Sequence, residues 1–104
     1  MNERRQSPRY PFVASAQLLE EESEVRMAAR ISELGLGGCY VDMLNPFPQG
    51  TTVRIHITHG NAVFRASGFV VYSNPNAGMG VAFRRLEPES RAVLEEWLRV
   101  SAEA

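Results

Sequence analysis

The sequence predicts a mainly β protein, a six-stranded antiparallel β-barrel with one C-terminal α-helix packed on it. Three observations carry that expectation. Apolar and polar residues alternate in several segments between residues 11 and 84, the period of a strand with one buried face. Turn-forming stretches rich in Gly, Asn and Pro cut the region into short pieces. Strands joined by short hairpins favour a small barrel, which leaves no open sheet edge. Near residue 87 the apolar period changes to that of a helix.

The elements follow in order. Residues 1–10 are polar and basic, contain Pro8, and read as a flexible arm. From Pro11 to about Leu19, Phe12, Ala14, Ala16 and Leu18 share one face of a first strand. "EEESE" at 20–24 reads as a solvated hairpin tip. "VRMAARI" at 25–31 is a second strand, "GLGG" at 35–38 breaks the chain, and "CYVDM" resumes as a third strand. "NPFPQGT" at 45–51 is a loop. In "VRIHI", Val53, Ile55 and Ile57 face one way while Arg54 and His56 face the other. Gly60-Asn61 is a two-residue hairpin connection. The long "AVFRASGFVVY" strand carries Gly68 at an expected bulge or bend. "SNPNAG" turns the chain into a last strand, "MGVAF". Val93, Leu94, Trp97 and Leu98 then recur at helical spacing, with Pro88 and Glu89 suited to the first turn. The expected organisation is a single domain over 1–104, with arm 1–10, barrel 11–84 and helix 87–101.

Composition narrows the function. The 104 residues make one domain, with a formal net charge of -1, so no global attraction to nucleic acid or an anionic surface is expected. All 11 basic residues are arginine, the side chain suited to bidentate phosphate binding and ring stacking. Cys39 is the single cysteine, so no intrachain disulfide forms; we expect a small buried hydrophobe in a reducing, cytoplasmic setting. No apolar run has the length of a membrane span. His56 and His59, three apart on or beside a strand, point to opposite faces and make poor metal co-ligands. The sole aspartate, Asp42, has no evident acidic partner. No catalytic arrangement is visible, so an enzyme is not expected.

Two features remain. Arg5 and Arg9 stand four apart around Pro8, with Arg4 adjacent. On spacing alone they read as a basic tail or as a pair converging on one phosphate or ring. "ELGLGG" at 33–38 reads as a barrel corner or as a backbone approach to an anion. Their order decides more than either does alone. "RQSPR" at 5–9, "ELGLGGCYV" at 33–41 and "GMGVAFRRLEPESRAVLEEWL" at 78–98 together resemble the PilZ domain family over nearly the whole chain.

That resemblance implies a six-stranded antiparallel barrel and a receptor for the bacterial second messenger cyclic di-GMP, with no other cofactor. It assigns to Arg5 and Arg9 the grip on phosphate and guanine; Arg4 is adjacent and placed to assist, although the motif does not demand it. The family's second motif is Asp or Asn, any residue, Ser, two of any, then Gly. In one frame Glu33 stands for the acidic residue, Gly35 for the serine and Gly38 for the glycine. A second frame, Arg30, Ser32 and Gly35, restores the serine but replaces the acid with a cation. The first frame keeps "CYV" in place and is preferred; either way the motif is degenerate. The expected ligand-binding residues are therefore Arg5, Arg9, Glu33, Gly35 and Gly38. The ligand, as monomer or intercalated dimer, would lie near 33–38 with the arm closed over it. A downstream protein partner would read the closed arm, with no nucleic acid polymer and no membrane insertion. The rival is a PilZ-like protein-interaction module that has lost the nucleotide.

Overall fold

The computed structural model describes residues 8–103. Six strands precede one helix: β1 (Arg9–Glu20), β2 (Arg26–Gly35), β3 (Gly38–Asp42), β4 (Thr52–His59), β5 (Ala62–Asn74), β6 (Gly78–Leu86) and α1 (Ser90–Glu103). They close into a barrel in the order β1-β2-β3-β6-β5-β4, with β4 pairing back to β1. Every neighbouring pair is antiparallel. The expected architecture is the observed one.

The alternation in β4 predicts its two faces. Val53, Ile55 and Ile57 are fully buried, and Arg54 and His56 are exposed. Opposite them β1 contributes Ala16 and Leu18, and β5 contributes Phe64 and Ala66, to one continuous core. The Gly60-Asn61 hairpin forms, with φ of 62° at Gly60. Gly68 sits at a register shift between β5 and β6, as its place in the middle of a long strand predicts.

Several boundaries differ from the sequence expectation, with β6 extending to Leu86 and the helix to Glu103, and three others bear on the architecture around the site. Arg9 and Tyr10, read as arm, open β1 by pairing with Gly35 and Leu34. Correspondingly β2 continues past Ile31 to Gly35, because β1 on one side and β3 on the other supply its hydrogen bonds. The helix begins at Ser90. Before it, Pro88 and Glu89 form a turn closed by Ser90 N–H donating to the Glu87 carbonyl, 2.9 Å.

Helix α1 packs on β5 and β1. Leu94 is fully buried, and Trp97 lies against Phe12, His59 and Phe64 at ring-centroid distances of 5.2, 5.9 and 6.4 Å. Such aromatic pairs add directional attraction to their area burial. His59 is therefore a packing residue at the helix and barrel junction rather than a bare turn residue. The helix entrance is fastened to one residue of β5. Arg65 N–H donates to Ser90 Oγ at 2.8 Å, and Glu87 N–H donates to the Arg65 carbonyl at 3.1 Å. Among the described residues, no helix is long and apolar enough to cross a membrane.

Candidate functional site

The pairing of β1 with β2 brings the end of the arginine arm to the glycine-containing segment. Arg9 stands opposite Gly35, and Pro11 opposite Glu33. The Arg9 guanidinium reaches Glu33, with Nη1 3.8 Å from Oε1. The Arg9 side chain is 18% exposed, whereas Glu33 is 52% exposed. At that distance, with one partner half in water, the pair contributes only about 0–1 kcal/mol. Arg9 Nη1 is itself buried and has no hydrogen-bond partner among the described residues. A cation with an unsatisfied N–H is a ready donor to an anionic ligand.

Gly35 makes this placement of Arg9 feasible. A Cβ there would come within 3.0 Å of the Pro8 carbonyl oxygen and 3.3 Å of Arg9 Cδ. The arginine stem lies across the bare glycine backbone. Gly38, the third residue of the preferred motif frame, opens β3 and pairs with Ala82 on β6. A Cβ at Gly38 would lie 2.2 Å from the Val81 carbonyl oxygen, so close strand approach by itself requires glycine there. Arg4 and Arg5 lie outside the described residues.

A break in strand alternation places Glu33 outward. On β2, Ile31 pairs with Val41 and Glu33 with Tyr40, so Ser32 is an extra residue against β3. On the other side, Phe12 and Val13 of β1 stand against Ser32, between the Pro11–Glu33 and Ala14–Ile31 pairs. Ile31 and Leu34 are fully buried, while Ser32 is half-buried and Glu33 exposed. Two successive side chains thus reach the surface, as a bulge permits.

Apart from Gly35, which both motif frames share, the residues of the two frames have different partners. Ser32 Oγ donates to Asp42 Oδ1 at 3.0 Å. Arg30 Nε and Nη2 donate to Asp42 Oδ2 at 3.1 and 3.0 Å. Arg30 and Ser32 are therefore engaged with Asp42, whereas Glu33 and Gly35 meet Arg9. Sequence reasoning missed the Arg30–Asp42–Ser32 cluster, because Asp42 lies on the next strand and only strand pairing brings it to Arg30 and Ser32.

Beneath the site, Cys39 is buried, as expected of a small hydrophobe. Burial pushes its thiol up to about 12, against a smaller downward pull from the Arg9 charge. Beside the site, Pro8, Tyr10 and Leu36 face Glu95, Leu98 and Arg99 of α1 across a cleft of about 260 Å³. The connection between β2 and β3 therefore lies near both the arm and the helix. Among the described residues, no group of three His, Cys, Asp or Glu side chains is placed to hold a metal.

The sequence profile of the PilZ domain matches residues 3–99. No curated protein matches the chain at a significant level. The fold is similar to the inhibitor of motility MotI/DgrA of Bacillus subtilis, with TM-score 0.73 and 18% identity, over 98% of this chain and 53% of that one. This chain thus spans about half the length of that relative. It is similar to the PilZ domain of YcgR from Escherichia coli, determined with c-di-GMP, with TM-score 0.70 and 15% identity, over 97% and 93% of the two chains. It is also similar to the PilZ domain of CeSA from a cellulose-synthesizing bacterium, with TM-score 0.68 and 15% identity, over 94% and 100%. At these identities the structural likeness establishes the fold.

Proposed function

The chain belongs to the PilZ domain family, and from that premise we propose that it is a receptor module that binds cyclic di-GMP where β1 meets the 33–38 segment. The observation that carries the reading is the meeting of Arg9, Glu33 and Gly35, with a buried Arg9 N–H left without a hydrogen-bond partner among the described residues. The Arg9 guanidinium donates to a ligand phosphate and presents its flat face to guanine. The Glu33 carboxylate accepts from a guanine N–H edge. Arg5, four residues before Arg9, supplies the second cation of the clamp, with Arg4 assisting. The bare backbone at Gly35 lets the Arg9 stem lie close against the segment that receives the ligand. The presence of c-di-GMP in the YcgR domain supports the choice of ligand. Binding orders the arm over the barrel, and a downstream protein reads the ordered arm. The role is one of recognition, with no chemistry done on the nucleotide.

The second reading, an interaction module without nucleotide, draws on one feature: Gly35 offers no hydroxyl and the Arg9 stem covers it. Calorimetric titration with cyclic di-GMP separates the two, using wild type, Arg5→Ala, Arg9→Ala and GTP as the control ligand. The receptor reading expects micromolar or tighter binding, no comparable response to GTP, and a loss on the order of 10- to 100-fold in each variant. Absence of binding at high ligand concentration, with the wild type folded, favours the interaction module.

A further inference from the structure

Asp42 lies outside the family motif, yet it stands at the centre of a polar cluster on the outer surface of β2 and β3. One carboxylate oxygen accepts from Ser32 Oγ at 3.0 Å, and the other from Arg30 Nε and Nη2 at 3.1 and 3.0 Å. The Arg30–Asp42 contact joins directly opposed residues, the usual cross-strand arrangement. The Ser32–Asp42 contact is of another kind. Ser32 is the inserted residue of the bulge, and the residue that follows is Glu33.

We infer that Asp42 is a positioning residue: through Ser32 it holds the β2 bulge in place, and the bulge turns Glu33 outward to meet Arg9 and the ligand. Strand geometry supplies the reason. Successive side chains on a regular strand point to opposite faces. Ile31 is buried and Ser32 points outward, so regular alternation would turn Glu33 into the core. The extra residue cancels that turn, leaving Glu33 outside and Leu34 inside. On the β1 side a separate adjustment, with Phe12 and Val13 standing against Ser32, aligns Gly35 with Arg9 and Glu33 with Pro11. A bulge has an unpaired residue and competing registers one step away. A side-chain bond from the inserted residue to the neighbouring strand selects one register. Asp42 provides it while Arg30, which is largely exposed, occupies the other oxygen. Asp42 itself touches neither Arg9 nor Glu33 by any hydrogen bond or ion pair among the described residues.

The inference rests on the receptor reading for its ligand measurement alone. A second measurement, amide hydrogen exchange at Glu33 and Gly35, is independent of ligand. Ser32→Ala and Asp42→Ala are each expected to weaken cyclic di-GMP binding about tenfold, the size of one lost hydrogen bond. Combining them is expected to add little, because both remove the same contact. Ser32→Thr keeps the hydroxyl and is expected to retain wild-type affinity. Arg30→Ala leaves the Ser32–Asp42 bond in place and is expected to change affinity less than about twofold. Exchange at Glu33 and Gly35 should quicken in Ser32→Ala and Asp42→Ala, with core amides such as Ile55 unchanged. It should stay slow in Ser32→Thr and Arg30→Ala. If the wild type binds no cyclic di-GMP, the receptor reading fails, and the exchange pattern still decides the role of Asp42. If Asp42→Ala does not fold, Ser32→Ala carries the test. Wild-type exchange at Glu33 and Gly35 in folded Ser32→Ala would overturn the inference, as would failure of Ser32→Thr to restore it.

Discussion

Arg9 is held by three different neighbours, and each limits what it does. Gly35 gives its stem a surface to lie on, Glu33 draws the guanidinium without fully pairing it, and Cys39 lies buried within reach of its charge. The thiol gives the residue-scale prediction. Burial raises its value from the ordinary 9.0 to about 12, so the folded protein keeps a neutral thiol where the unfolded chain ionises. That contribution to stability is intact below pH 9 and is lost as pH rises toward 12, at about 1.4 kcal/mol per pH unit within that window. Denaturant unfolding of wild type and Cys39→Ala across this range tests it. The stability advantage of wild type over the variant should shrink as pH rises; parallel profiles would contradict the assignment. The grouping of Arg9 with Glu33 and Gly35 followed from the family resemblance, and strand pairing brings the three together, while their part in ligand binding is the proposal. The contacts of Asp42 were not legible in the sequence, since its partners Arg30 and Ser32 lie 12 and 10 residues away and are joined to it by strand pairing.

At the scale of elements, the helix joins the barrel through Arg65, whose backbone N–H and carbonyl are taken by Ser90 and Glu87. Ser90 is only 3% exposed, so water does not readily replace its hydroxyl. Ser90→Ala should lower unfolding free energy by about 1–3 kcal/mol, the cost of leaving a buried donor unsatisfied. Urea denaturation measures this, and a change within error of zero would show that the clasp is unimportant. The helix itself was plain in the spacing of Leu94 and Trp97, both of which point into the barrel. Its first turn was placed too early because Pro88 and Glu89 suit a helix start and a tight turn equally. The end of β2 was hidden for a different reason. Alternation stops at Ser32, and pattern reading stops with it, whereas backbone pairing to β1 and β3 carries the strand on to Gly35.

On the scale of the whole molecule, barrel closure and the candidate site share one strand. β1 pairs with β4 to close the barrel and with β2 to bring Arg9 to Gly35. The candidate site is thus borne on paired strands, with Pro8 and the helix both lining the adjacent cleft. In the receptor reading proposed above, a ligand on the 33–38 segment acts on α1 across this cleft, and a partner reads the change. Backbone amide NMR during titration with cyclic di-GMP tests that claim most directly. The account predicts the largest shifts at Arg9, Tyr10 and residues 33–39, with smaller ones at Leu98 and Arg99. Shifts confined to the outer face of β5 and β6, or no shifts at all at saturating ligand, would contradict it.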